Sequence, residues 1–301
     1  MDAHTIGALV VTLTTWASAF AAIRIGLRDF APGHLALLRF LTASAVLAGL
    51  SLARHWTWPR RTDWPLLALS GFLSVTVYHT ALNHGEVTVT AGAASFLINT
   101  APIWTALFAT YLLGETLPRA AWSGIALSFS GVALIAIGEN MDELQRGLVS
   151  PGAFLILLSA LSASAAMILN KNLLRTYNVL QLTSYTVWMG TFFLLVFTPN
   201  FLTALRTVPP RSAWCGVYLG VFPGALAYLT WTYVLSRLPA AKTATFLYLV
   251  PPLAVLIAWL WIGEAPTLFS LLGGMMALGG VVLVNTRRRP KPPEPPPLLS
   301  E

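Results

Sequence analysis

Two stretches, NTAPIWTALFATYLLGE at 99–115 and YLVPPLAVLIAWLWIGE at 248–264, share one skeleton 149 residues apart. In each a polar side chain, Asn99 or Tyr248, stands three residues before a proline, Pro102 or Pro251. An apolar run follows, and each closes on Gly-Glu: Gly114-Glu115 and Gly263-Glu264. Leu107 with Leu256 and Ala109 with Ala258 coincide as well, though such matches are common in apolar chains. Working outward at the same offset, Gly71 meets Gly220, Gly124 meets Gly273 and Gly131 meets Gly280, all without a gap. Gly-Glu after a proline-bearing run, with two glycines at fixed distances beyond, is the mark of an internal repeat.

Around these stretches the chain reads as ten mainly apolar runs, at 5–27, 34–54, 64–84, 89–113, 119–138, 150–174, 180–199, 212–235, 241–262 and 267–285. A bilayer-crossing helix needs about 20 such residues; a barrel strand would be about 10 residues of alternating polarity. The 301 residues are 56% hydrophobic and only 10% charged, against roughly 25% charged in soluble domains. Mean hydropathy is +0.71. The expected fold is therefore an all-α integral membrane protein: ten transmembrane helices in two inverted five-helix repeats around a central cavity. Five is odd, so the second half must enter the membrane from the other side, a transporter design with the site between the halves. The expected divisions are 1–148, 149–286 and a basic, proline-rich tail at 287–301, disordered and cytoplasmic. Met1–His4 lacks a basic n-region, so the first run is read as a retained span.

The net charge of +7 is spread between apolar runs rather than gathered into a patch, which argues against nucleic acid. Placing the N-terminus in the cytoplasm puts twelve Lys/Arg in inside loops and five, Arg24, Arg28, Arg146, Arg206 and Arg211, outside. The basic residues thus report topology, with both termini inside an inner (plasma) membrane. Cys215 is alone, so no intrachain disulfide and no cysteine metal site are expected. H-E-x-x-H and G-x-x-x-x-G-K-[ST] are absent, and the four aspartates lie outside the runs. A membrane enzyme, a metal site, a cofactor and nucleotide-driven pumping are thereby disfavoured, and substrate or ion gradients remain as the driving force.

Trp16-Ala17-Ser18-Ala19-Phe20 in the first run, Arg39-Phe40 in the second, and the paired Pro…Gly-Glu…Gly…Gly strings complete a pattern. It resembles the EamA family of the drug/metabolite transporter superfamily over the chain up to Asn285. In size and aromatic content it is most similar to the YddG-type exporters of aromatic and other neutral amino acids. The resemblance implies a secondary transporter working by alternating access, with a cavity lined by runs 1, 3, 4, 6, 8 and 9, and runs 5 and 10 peripheral. The implied partners are a small-molecule substrate and the lipid bilayer, and a monomer is the expected form.

Within that frame, Thr76, His79, Asn83 and Glu86 fall at spacings of 3, 4 and 3 and so share a helical face. Charged groups at the bilayer centre cost about 2.5–3.5 kcal/mol on insertion scales, so such a stripe must face water or partners. Bundle packing explains it as well as a cavity wall does; on the cavity reading His79 is a candidate proton carrier. At the repeat offset His79 and Asn83 become Tyr228 and Thr232, with Trp231 beside them. Asn99 and Tyr248, each before its proline, are placed to work with carbonyls freed at a helix break. Trp16 and Tyr78 offer rings for stacking. The candidate substrate-binding set is Trp16, Tyr78, His79, Asn83, Asn99, Tyr228, Trp231 and Tyr248, with Met167 and Asn170 as lesser candidates. Pro102, Pro251, Glu115 and Glu264 are the hinge and gating candidates. Arg39 is expected to snorkel or pair near the outer face. An aromatic, weakly polar cavity with no mid-span Lys/Arg pair suits neutral amphipathic metabolites better than phosphorylated ones.

Overall fold

The computed structural model describes residues 1–53, 58–101, 103–105, 108, 119–139, 151–238, 243 and 246–286. All regular structure among them is helical. In chain order the helices are α1 (Ala3–Gly26), α2 (Pro32–Leu52), α3 (Arg61–Gly85), α4 (Ala91–Ile98), α5 (Arg119–Glu139) and α6 (Pro151–Leu173). Then come α7 (Val179–Phe197), α8 (Phe201–Thr207), α9 (Pro210–Arg237), α10 (Val250–Ile262) and α11 (Leu268–Thr286).

The helix starts follow from local chemistry. Asp2 caps α1, accepting from the Thr5 amide at 3.0 Å, and the hydrogen bonds from Thr5 hold its carboxyl below the ordinary range. Pro32 stands in the first turn of α2, where its missing N–H costs nothing. Asn178 and Gln181 form a reciprocal capping box at α7. Outward faces carry large apolar side chains, among them Phe154, Phe192, Trp214, Trp259 and Leu260. Serine and threonine meanwhile point inward, as in Thr12 to Thr230 at 2.6 Å and Ser44 to Thr191 at 2.8 Å. That inside-out polarity is what lipid demands.

The ten-helix, twice-five inverted arrangement is not what the structure supports. Among the described residues six helices are long and apolar enough to cross a membrane: α1, α2, α3, α6, α7 and α9. Three further apolar segments, Trp122–Ile135, Val250–Ile262 and Leu268–Gly280, are shorter. The 13 residues of α10 rise only about 20 Å, against about 30 Å of hydrocarbon. The physical reason lies in the runs that decided the expectation. Apolar composition was continuous there, but the helix is not. α4 ends at Ile98, with Asn99 leaving helical geometry. α10 begins only at Val250, after a 3-10 turn at Phe246–Leu249. Pro251 thus occupies the first turn of α10, where it starts a helix rather than kinking one. Pro102 and Glu115 lie outside the described residues.

Two helices are distorted where they meet the interior. α3 passes through a π segment at Phe72–Val77, and α9 through another at Gly220–Leu226 that contains Pro223. Widened turns loosen the backbone ladder, and side chains from neighbouring helices take up the carbonyls. Ser162 donates to the Leu73 carbonyl at 2.7 Å, Tyr228 to that of Ser74 at 2.8 Å, and Trp16 Nε1 to that of Pro223 at 3.3 Å. α5 and α11 pack on each other away from the interior. A Cβ on Gly273 would come within 2.6 Å of the Gly131 carbonyl oxygen, so the two backbones touch.

Candidate functional site

The helices enclose a cavity of about 160 Å³, some ten times the space one water needs. α1 contributes Trp16, Ala19, Phe20 and Ile23; α3 contributes Ser74, Tyr78, His79 and Leu82; α9 contributes Tyr228, Trp231, Thr232 and Leu235. α6 adds Ser164, Met167 and Asn170 among others, and the chain around the end of α4 adds Ile98, Asn99, Ala101 and Thr105. Leu247 and Val250 close the wall at α10, and α2 sends in Arg39. No residue of α5 or α11 is among the described lining.

Its aromatic wall is built by three helices. Trp16 lies 5.1 Å from Trp231 and 6.1 Å, edge-on, from Tyr228, between ring centroids. Tyr78 meets His79 edge-on at 4.5 Å, and Phe40 packs on His79 at 4.6 Å. The hydrogen bonds of this group define its protons. Tyr228 has one hydroxyl hydrogen and gives it to the Ser74 carbonyl at 2.8 Å. The 3.0 Å contact between Tyr228 and His79 Nε2 must then be donated by the imidazole. His79 is consequently the Nε2–H tautomer, and its Nδ1 is a buried acceptor with no partner. Asn99 donates to the Ser95 carbonyl at 2.8 Å and leaves Oδ1 buried and unpartnered.

Next to Ile23 of the lining an ion pair, here the latch, joins α1 to the end of α10. Gly263 ends α10 with φ of +71°, a left-handed cap that only glycine adopts freely. This turns Glu264 toward α1, where Oε1 meets Arg24 Nε at 2.8 Å while Oε2 accepts from the Ala91 amide at 3.0 Å. Arg24 also donates to the Glu86 carbonyl at 2.6 Å. The Glu86 side chain is fully buried one residue beyond α3, and neither carboxylate oxygen has a hydrogen-bond partner. Burial pushes that carboxyl well above the ordinary range, with Arg24 and Arg39 opposing the shift and Glu264 adding to it. Lys171 holds the last carbonyls of α9, donating to Leu235 at 2.7 Å and to Leu238 at 3.1 Å.

Of the residues singled out in the sequence, Trp16, Tyr78, His79, Asn99, Tyr228 and Trp231 come together around the cavity, as do Met167 and Asn170. Asn83 does not line it; its amide instead donates to the Pro32 carbonyl at 3.0 Å, tying α3 to α2. The Tyr248 side chain lies outside the described residues. Glu264 is the acid of the latch. Arg39 departs from its expectation: it is 2% exposed and borders the cavity, and among the described residues it has no ion-pair partner. Its place near the start of an apolar run hid it, because arginine there usually reaches for the interface. Arg39, Ser74, Thr105 and Ser164 are polar lining residues that sequence reasoning did not place at the site.

A bundle of membrane-length helices around an aromatic, sparsely polar cavity is the build of a carrier for small molecules. The chain belongs to the EamA-like transporter family, whose profile matches residues 5–137 and 150–286. It is a multi-pass secondary transporter of small metabolites and not an enzyme. Among similar proteins is one from Streptantibioticus cattleyicolor described as a probable terminal-alkyne amino-acid exporter, 38% identical over 94% of this chain and 93% of that protein. The uncharacterized transporter YdfC of Bacillus subtilis is 38% identical over 88% of this chain and 86% of its own length. YedA of Escherichia coli K12, an uncharacterized inner membrane transporter, is 28% identical over 96% of this chain and 93% of that protein. A solved crystal structure, 19% identical, superposes with a TM-score of 0.62 over 92% of this chain and 96% of that one, a likeness of fold alone.

Proposed function

We propose that the protein exports aromatic and other apolar amino acids by alternating access. The observation that carries this reading is the cavity wall: Trp16, Tyr78, Tyr228 and Trp231 present rings, while three of its polar residues, Arg39, His79 and Asn99, keep atoms without a hydrogen-bond partner. Ring-on-ring contacts contribute about 0.5–1.5 kcal/mol each beyond area burial. That suits an amphipathic metabolite. The amino-acid exporter that is 38% identical to this chain supports the same class. In this reading the Arg24–Glu264 latch opens and closes one entrance, and residues 1–148 and 149–286 are the units that shift. The protein lies in the inner (plasma) membrane with both termini cytoplasmic, in keeping with the bias of Lys and Arg.

The test is uptake into proteoliposomes of a panel of apolar amino acids, amines, sugars and nucleosides, with and without a pH gradient. Saturable, mutually competing flux of phenylalanine, tryptophan and leucine is expected. Flux of another class, with no transport of and no competition by these amino acids, would refute the substrate while leaving the family untouched.

A further inference from the structure

We infer that Arg39 is the carboxylate-binding residue of the central cavity, so that the transported molecule carries one negative charge there. Arg39 is 2% exposed, and neither Nε nor Nη1 has a hydrogen-bond partner. Among the described residues no carboxylate lies within ion-pair distance of it; the ion pair found there joins Arg24 to Glu264. A guanidinium buried within a membrane bundle, with the Glu86 carboxyl near enough to be felt but beyond ion-pair distance, is costly, and a ligand that brings a closer charge lowers that cost. Arg39 is also the one Lys, Arg, Asp or Glu among the described residues lining the cavity.

The backbone around Arg39 holds it in place. α9 passes so close that a Cβ on Gly220 would fall 2.5 Å from the Arg39 carbonyl oxygen, and one on Gly224 3.8 Å from its Cγ. The guanidinium carbon lies 5.4 Å from the centre of the Phe40 ring. A guanidinium is a planar fork that matches a carboxylate with two parallel hydrogen bonds. One cation matches one negative charge; a phosphomonoester would bring more than the wall can neutralise. Glu86, a buried carboxyl without a hydrogen-bond partner, is not part of the lining and so does not compete for the position. His79 Nδ1 and Asn99 Oδ1, on residues of the same wall, are acceptors awaiting a donor. An amino-acid zwitterion supplies both charges, and to that extent the inference rests on the cavity being the transport site proposed above.

The experiment measures affinity of the purified full-length chain for L-phenylalanine, L-phenylalaninamide, phenethylamine and 3-phenylpropionate. The wild type should bind phenylalanine about thirtyfold or more tightly than its amide, as expected for a buried charge pair losing one partner. Arg39→Gln should bring that ratio close to one, and Arg39→Lys should fall between, since an ammonium cannot form the fork. Should Arg39→Gln fail to fold, the wild-type ratio alone decides. Equal binding of acid and amide by the wild type overturns the inference while leaving amino-acid transport standing. So does an unchanged ratio in a monodisperse Arg39→Gln protein. Binding of 3-phenylpropionate that depends on Arg39, with no binding of phenylalanine, upholds the inference and refutes the amino-acid reading. Binding of phenethylamine with neither carboxylate probe, or of no probe at all, overturns it.

Discussion

Replacing Tyr228 by phenylalanine removes a single oxygen that serves two helices, and the consequence follows from its partners. The ring stays, so edge contacts with Trp16 and Phe40 at about 6 Å between centroids persist. What goes is a donor to the Ser74 carbonyl at 2.8 Å and an acceptor for His79 Nε2–H at 3.0 Å. Hydrogen bonds between membrane helices average about 0.6 kcal/mol. Stranding a buried donor costs about 1–3 kcal/mol, because water cannot replace the lost oxygen. The two effects together predict a loss of about 1–3 kcal/mol, and at about 2 °C per kcal/mol for a chain of this size, a Tm lower by several degrees. The assay is thermal unfolding of the purified protein followed by tryptophan fluorescence, with His79→Leu and the double variant alongside. Once the partner is gone the stranded donor goes with it, so the double variant should lose less than the two single losses added. A Tm for Tyr228→Phe within a degree of wild type, or strictly additive losses, would refute the assigned tautomer and the bridge it makes between α3 and α9.

Three further outcomes follow. The Arg24–Glu264 pair is about a quarter exposed at each partner, so its coupling should be about 1 kcal/mol. A cysteine at Ile23, introduced on a Cys215→Ser background, should then react with a maleimide roughly fivefold faster in Glu264→Gln than in the parent. Adding Arg24→Gln should bring little more, and additive increases would show that no latch exists. Burial raises the Glu86 carboxyl above its unfolded value, so the folded state holds the extra proton and stability falls as pH rises from the ordinary carboxylate range to the folded value. Glu86→Gln should flatten that decline, which is at most about 1.4 kcal/mol per pH unit; melting curves from pH 5 to 9 with the same slope for both proteins would contradict it. Gly273→Leu forces a side chain against the Gly131 carbonyl and should abolish monodisperse protein. Gly279→Ala, where a Cβ meets nothing within 4 Å, should stay within about 0.5 kcal/mol of wild type. Similar yields of the two would show that the seam between α5 and α11 is not close-packed.

Much of the cavity was readable beforehand because polar and aromatic side chains inside apolar runs have few uses in lipid other than facing inward. Trp16, His79, Asn99 and Tyr228 stood out on that ground. Asn83 met the same criterion and found a backbone carbonyl on α2 instead. Spacing reports which face of a helix a residue occupies, and two neighbours can share one face. The π segments in α3 and α9 left no trace in the pattern of residues, since Phe72–Val77 reads as ordinary apolar helix.

Composition and spacing alone determined that the chain is helical and that it lies in a membrane, and the resemblance of its motifs to a known family pointed to a transporter of the EamA type. Each of these depends on a property summed over many residues, such as transfer to lipid or a recurring string, and survives local error. Only the tertiary structure decided how long the helices run, that α4 stops and α10 starts at the breaks, and which helices are long enough to cross. It alone placed Arg39 against the cavity, with Nε and Nη1 unpartnered among the described residues, and brought Tyr228 to His79. Those outcomes rest on where one helix approaches another to within hydrogen-bonding distance, and a linear chain does not state that separation.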